Sequence, residues 1–381
     1  MKRFCFIWTV GALFSLVMGC VIVLTGSFFT RRFAGQPYDY LRHYYDFVNY
    51  APEGTSYVRQ VDSIVIINTH DSAFGSRDGF ARLLDSLAIL SPKAVGIDQI
   101  FPETGESAQS VDDALRAAVE RFPHPLVTAC RHHGADSLEH SFFTILSGVD
   151  YGIVNAPSFY AFAPADSVKG RPVERMVVTL ARKAGYSVDE TDLPVINYSH
   201  RSFRSLSKWE DINASTVNDR IVLIGDVDEA KDSYDVPFRI NGKYQASGVC
   251  LNAYQLFSLI WPEEAFRVIP GGASFAICFI LILLYSLGVT GWGLHKTRVL
   301  ETRKDCPKCR VGLASVFYVL EPVGVLLVEG VALLSMVGII SLFHLIPNLW
   351  VFVAAVPFAG RGCHFAKAWA DFKWPEEVSQ S

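Results

Sequence analysis

Three long windows of the sequence contain no Asp, Glu, Lys or Arg, and they constrain the fold more than any other feature. They are residues 4–30, 268–295 and 330–360. A helix that spans a membrane needs roughly 20 consecutive, mostly apolar residues. The third window is too long for one span, and Ile346-Pro347-Asn348 marks a turn within it. The sequence therefore predicts four transmembrane helices, one before and three after a large polar middle.

The predicted organisation is an anchor, an outer domain, a second span, a basic loop, a helical hairpin and a tail. Their bounds are 1–30, 31–267, 268–293, 294–310, 311–370 and 371–381. The first segment could instead be a cleaved signal peptide, because Lys2 and Arg3 precede its apolar run. An uncleaved anchor is favoured, since the run is longer than the about 7–15 apolar residues of a signal peptide.

Basic residues near the helix ends predict the orientation of the chain in the membrane. The loop 294–310 is the strongest signal, with Lys296, Arg298, Arg303, Lys304, Lys308 and Arg310. Placing this loop in the cytoplasm puts both termini inside and the domain 31–267 outside.

The charge balance and the hydrophobic content exclude two other classes of protein. The chain has 34 Lys and Arg against 38 Asp and Glu, a net charge of −4. A nucleic-acid partner is not expected, because such proteins carry a strongly basic face. Disorder is not expected either, since hydrophobic residues make up 50% of the chain. Membrane lipid is the expected surrounding of the uncharged windows.

The outer domain shows the alternation of an α/β fold. Ser63–Ile67 is a β-branched run typical of a strand buried on both faces. An amphipathic helix follows from Arg77, and Ala94–Ile97 is a second buried strand, which together make a βαβ unit. The later predictions are helices near 110–121, 173–185 and 248–260 and strands near 125–130, 194–198 and 221–225. We therefore predict an α/β domain with a mainly parallel sheet, and make no assignment for 131–170.

The ordered segments of this domain resemble a known family. The segments are VDSIVIINTHDSAFG, PKAVGIDQIFPE, YGIVNAP, LPVINY, NDRIVLIGDVDEAKDSYDVPF and GVCLNAYQLFSLI. They are similar, in this order and over residues 35–262, to the CHASE domain of the second type, an extracellular sensory domain of bacterial signalling proteins. The resemblance implies one helix before the domain and three after it, a location in the bacterial inner membrane and a possible homodimer. It also implies an attached kinase or cyclase, for which this sequence leaves no room after the last predicted helix, so a stand-alone form is expected.

Polar residues at the ends of three predicted strands form the candidate site. Ligands of open parallel sheets bind outside the carboxyl ends of the strands. The residues at these ends are Asn68, His70, Asp71, Asp98, Gly225, Asp226 and Asp228. If the strands are neighbours, these residues converge on one crevice that could bind a cation, a sugar or a polyamine. The alternative is that they cap helices and support loops.

Neither a catalytic centre, a cofactor nor a metal site is predicted. Nothing supplies a matched acid and base at a defined spacing. Four histidines cluster without the spacing of metal ligands and are better interpreted as part of a polar loop: His124, His132, His133 and His140. Cys306 and Cys309 form a lone C-x-x-C in the basic loop, where a plain connector is favoured over zinc.

Two further features remain open at the level of sequence. Cys130 and Cys250 both face outward and could form a disulfide, which the sequence alone cannot decide. Glu329 lies within a predicted span, where an ionisable residue indicates a functional role by default. The expected function is a membrane-anchored sensor or adaptor that binds an envelope ligand, a small molecule or cation, and signals through a separate cytoplasmic or membrane partner. The alternative is a structural subunit of an envelope complex.

Overall fold

The computed structural model describes most of the outer domain and the long helices. The described residues are 2–30, 45–46, 49, 59–70, 73–102, 109–133, 137–146, 149–154, 164–189, 195–199, 201–227, 233–240, 242–268, 271–302, 306, 308, 311–312, 314–317, 320, 323–324, 326–328, 330–331, 334–335, 345–346 and 350–373. The chain divides into two compact units. One is Tyr38–Phe266, and the other comprises Met1–Pro37 and Arg267–Ser381.

The regular elements alternate along the chain as an α/β sequence should. The labelled helices are α1 (Lys2–Thr30), α2 (Arg77–Leu90), α3 (Gln109–Glu120), α4 (Phe142–Leu146), α5 (Met176–Lys183), α6 (Ala214–Val217), α7 (Gly248–Ile260), α8 (Gly271–Glu301) and α9 (Trp350–Lys373). The strands are β1 (Arg59–Asn68), β2 (Ala94–Ile97), β3 (Leu126–His132), β4 (Leu138–His140), β5 (Asp150–Ile153), β6 (Ala165–Val168), β7 (Arg171–Glu174), β8 (Arg201–Leu206), β9 (Ile221–Gly225), β10 (Ser233–Ile240), β11 (Lys243–Ser247), β12 (Arg267–Val268) and β13 (Leu345–Ile346).

Unit Tyr38–Phe266 is built on a seven-stranded, mainly parallel sheet. Its order is β4-β3-β2-β9-β1-β8, and β5 also pairs with β3. Strand β9 lies between β1 and β2 and is parallel to both, whereas β4 runs antiparallel to β3. The predicted fold class of this domain, α/β with a mainly parallel sheet, is confirmed.

The sheet is buried on both faces because helices pack on each side of it, and successive strand side chains point to opposite sides. In β1, Ile64 and Ile66 belong to the core that contains residues of α5 and α7. Their neighbours Val65 and Ile67 belong to the other core, which contains residues of α2 and α3. This is why the strand reads as a continuous β-branched run and not as an apolar–polar alternation.

The predicted strand at 194–198 is wrong. Val195 forms only an isolated bridge with Phe266, and β8 takes the edge position beside β1. The reason is local hydrogen bonding around Asn197. Its N–H donates to Ser258 Oγ, and its own side chain accepts from the N–H of Ser199. These bonds turn the chain away from the strand direction.

The other unit contains the long apolar helices. Within the described residues, one helical segment, Phe275–Leu300, is long and apolar enough to cross a membrane, and Cys5–Val21 is a shorter apolar segment. Four spans are therefore not confirmed and stay a prediction. Trp8 Nε1 of α1 donates to the Leu283 carbonyl of α8 at 2.8 Å. Glu329 lies outside the described residues.

Candidate functional site

The three strands whose carboxyl ends carry the predicted site residues are neighbours in the sheet. Asn68 of β1 is in register with Gly225 of β9. The N–H of Asp98, directly after β2, donates to the Ile224 carbonyl of β9 at 2.8 Å. The structure thus brings Asn68, His70, Asp98, Gly225 and Asp226 to one edge. The remaining two predicted residues, Asp71 and Asp228, lie outside the described residues.

Asn68 and Gly225 shape this edge but are not among the described residues that line the crevice beside it. Asn68 Oδ1 accepts hydrogen bonds from the N–H groups of His70 and Val227, at 2.9 and 3.1 Å, and so joins the loops that follow β1 and β9. At Gly225, an added Cβ would lie 3.0 Å from Cβ of Val249, so α7 approaches the strand closely. The loop-supporting interpretation therefore describes Asn68.

Asp98 and Asp226 line a crevice of about 590 Å³ at this edge. The volume lies within the range of small-molecule sites. Asp98 Oδ2 accepts from Asn252 Nδ2 of α7 at 2.8 Å, and Asp226 Oδ2 lies 3.4 Å from His70 Nδ1. The lining also includes Thr69, Gly75, Gln99, Ile100, Pro102, Ala129, Arg131, Glu139, Val154, Tyr234, Gly248, Leu251 and Gln255.

Two lining side chains are buried yet make no hydrogen bond with the described part of the protein. Gln255 of α7 is 4% exposed and Thr69 is 7% exposed. No hydrogen bond of either side chain is found among the described residues, and Oε1 of Gln99, another lining residue, is buried without a partner there. Buried amides and hydroxyls are normally satisfied, so such groups facing a cavity call for water or a ligand.

The sequence reasoning missed the contribution of α7 to the crevice. Asn252 and Gln255 are three residues apart and therefore lie on the same side of the helix. They are the two amide side chains of a largely apolar helix that is buried along most of its length. This pair of amides in the sequence could have indicated a binding site, since a buried amide destabilises a core helix unless another group bonds to it.

An ion pair lies on the β3–β4 side of the crevice. Arg131 Nε donates to Glu139 Oε2 at 2.7 Å. This hydrogen bond lowers the pKa of Glu139 and raises that of Arg131. Both groups are consequently charged at neutral pH, and the one Arg of the described lining is already engaged by a carboxylate.

The clustered histidines do not form a metal site in the described part of the chain. No group of three or more His, Cys, Asp or Glu side chains there could hold a metal ion. His124 contacts the Ala88 carbonyl, His132 lies 3.6 Å from Asp166, and the His140 ring contacts Tyr151. Burial lowers the pKa of His140. Because β3, β4 and the preceding loop direct them to separate partners, these residues do not act as one set.

The structure places Cys130 inside the fold and not in a disulfide. Cys130 is a buried free thiol of β3, packed with Ile153 and Val168. Cys250, on α7, contacts a different core cluster. The disulfide that the sequence left open is therefore not formed.

We expect Cys130 to resist alkylation in the folded protein. Burial raises its pKa to about 12, and the thiolate is the reactive form. The measurement is iodoacetamide labelling at pH 8 followed by peptide mass spectrometry, with the guanidinium-unfolded protein as the control. Full labelling of Cys130 within minutes in the native protein would contradict this placement.

The fold and the crevice define a class of protein: an α/β domain with a polar cavity at the carboxyl edge of a parallel sheet, in a chain with an apolar helix that could cross a membrane. The model of the CHASE2 domain matches residues 16–288, and the chain belongs to this family of extracellular sensory domains. A sensory role and a position outside the cytoplasm are thereby supported for the domain. Searches of curated proteins and of solved structures gave no match.

Proposed function

We infer that this protein is a membrane-anchored sensor or adaptor that binds a small polar molecule of the cell envelope in the crevice and signals through a separate cytoplasmic or membrane partner. Membership of a sensory family supports the general role. The apolar segment Phe275–Leu300, which follows the domain in the sequence, supports the membrane anchor.

The observation that carries the proposal is the unsatisfied polar lining of the crevice. Gln99 Oε1 is buried without a hydrogen-bond partner among the described residues, and the buried side chains of Gln255 and Thr69 also face the cavity without hydrogen bonds to that part of the chain. A domain that only filled space in a complex would gain stability from apolar side chains at these positions. An amide and a hydroxyl at these positions are typical of a binding site, in which a few polar groups orient a ligand.

Helix α7 supplies a route from the crevice to the end of the domain. Its first residues line the cavity, and near its end Ser258 Oγ accepts from the N–H of Asn197. Asn197 Nδ2 in turn donates to the Glu264 carbonyl. Residues 45 and 266, close to the two ends of this unit, meet there, with the rings of Tyr45 and Phe266 6.1 Å apart. A shift of α7 would therefore reach both connections to the rest of the chain.

The test is a thermal-unfolding screen of the full chain in detergent against small polar compounds. A compound that binds the folded protein at about 100 times its Kd raises the free energy of unfolding by about 2.7 kcal/mol. We expect Gln255→Met, which keeps the length of the side chain but removes the amide, to abolish the stabilisation. The matched control is Asp85→Asn, which changes an exposed carboxylate of α2 paired with Arg121.

Two results would overturn the proposal. One is stabilisation that persists unchanged in Gln255→Met, because the compound would then bind elsewhere. The other is no stabilisation by any compound together with constant co-purification of one envelope protein. That outcome would favour the structural-subunit interpretation.

A further inference from the structure

The charged groups of the described crevice lining are mostly acidic. Three carboxylates, of Asp98, Asp226 and Glu139, stand against one guanidinium, that of Arg131. The Arg131 guanidinium already donates to Glu139. Of the other two carboxylates, Asp98 accepts from the neutral Asn252 amide and Asp226 lies 3.4 Å from the His70 ring, which also lines the cavity. An anion would meet both carboxylates and would have to displace Glu139 to reach the arginine. The side-chain charges of the described lining therefore favour a cation over a phosphate or a carboxylate.

The neutral groups of the lining offer acceptors near the carboxylates. Asn252 donates its amide N–H to Asp98, which holds this carboxylate beside α7. The Gln255 amide lies one turn further along the same helix and can accept through its carbonyl. The Thr69 hydroxyl follows β1 and can also accept. A ligand with several N–H donors and a positive charge would satisfy these groups together.

A bare metal ion fits this arrangement less well than an organic cation. The described residues contain no group of three or more side chains of the types that hold metals. The cavity of about 590 Å³ has room for a small organic molecule. Hard divalent cations require six or more oxygen ligands at short distances. A cavity of this volume does not hold its lining oxygens that close to one central ion.

We propose that the crevice recognises a small organic cation carrying a primary ammonium group, which lies between Asp98 and Asp226 and donates to Gln255. This ligand class rests on the proposed function of the same crevice. Charge-assisted hydrogen bonds to the two carboxylates provide the discrimination against neutral molecules of the same length. The class includes the aliphatic diamines, of which putrescine is a simple probe.

The test is isothermal titration of the full chain in detergent with putrescine and with butanediol, its neutral counterpart in which hydroxyls replace both amines. Putrescine is expected to bind at least about tenfold more tightly than butanediol. Asp98→Asn, which keeps the shape of the side chain, is expected to weaken putrescine binding by about tenfold to a hundredfold. Asp85→Asn, on the exposed face of α2, should leave the affinity unchanged.

Other outcomes separate the ligand class from the proposed function. Should Asp98→Asn fail to fold, Asp226→Asn provides the same test, because the Asp226 side chain, directly after β9, is 32% exposed. Binding of butanediol or glucose as tight as that of putrescine, or binding of inorganic phosphate that Gln255→Met abolishes, would overturn the cation class and leave the crevice as a ligand site. Absence of putrescine binding would also overturn the cation class. The thermal-unfolding screen then decides separately whether the crevice binds any molecule.

Discussion

Asp112→Ala is expected to lower the free energy of unfolding by about 3 kcal/mol, among the largest effects of any single side-chain change in the outer domain. The Asp112 side chain of α3 is 6% exposed and forms an ion pair with Arg77 at the start of α2. The Arg77 guanidinium also donates to the Pro102 carbonyl and lies 5.3 Å from the centre of the Phe142 ring. Removing the carboxylate leaves a mostly buried positive charge without its main partner, which typically costs about 3–5 kcal/mol.

Thermal unfolding of the full chain measures this loss. For a domain of this size, about 3 kcal/mol corresponds to a fall in Tm of about 6 to 12 °C. The matched control is Asp78→Ala, which removes the carboxylate of another Asp–Arg pair on α2. That pair, with Arg82, is exposed on both sides. It should cost less than about 1 kcal/mol. Equal losses in the two variants would show that burial of the Asp112 pair is unimportant.

Gly152→Ala is expected to destabilise the domain by about 3 kcal/mol. An added Cβ would lie 2.4 Å from the backbone nitrogen of Met176, at the start of α5. Backbone atoms cannot move aside as a flexible side chain can, so β5 and α5 would have to separate. Val154, two residues further along the chain, lines the crevice, and therefore the change should also alter ligand binding.

Unfolding of Gly152→Ala by urea, compared with Gly288→Ala, checks this prediction. Gly288 lies within α8, and an added Cβ there meets no other atom within 4 Å. Alanine favours a helix over glycine, so Gly288→Ala should be neutral or slightly stabilising. A Gly152→Ala protein with wild-type stability would mean that β5 and α5 do not pack as closely as described.

The strands at the centre of the sheet were predictable from sequence because their composition follows directly from burial on both faces. Ile64–Ile67 and Ile221–Ile224 are continuous apolar runs, and each lies in the sheet where the pattern placed it. The convergence of Asp98 and Asp226 followed from the same reasoning, since parallel neighbours end at one edge.

The edge of the sheet and the helix wall of the crevice were not predictable in the same way. The segment at 194–198 has strand-forming residues, but Asn197 directs its backbone to side chains of another element. Gln255 reads as one polar residue in an apolar helix, and only the fold shows that it faces a cavity. The partner that decides the course of the chain at Asn197, Ser258, is 61 residues away. Local patterns do not contain such partners.

The central claim is that the crevice at the carboxyl edge of β1, β9 and β2 is the ligand site of this sensory domain. A crystal structure of the full chain with the compound that gives the largest thermal stabilisation tests it most directly. The account predicts that the compound lies between Asp98, Asp226 and Gln255, with a hydrogen bond to the Gln255 amide. A compound bound at another surface, with the crevice occupied by water alone, would contradict it.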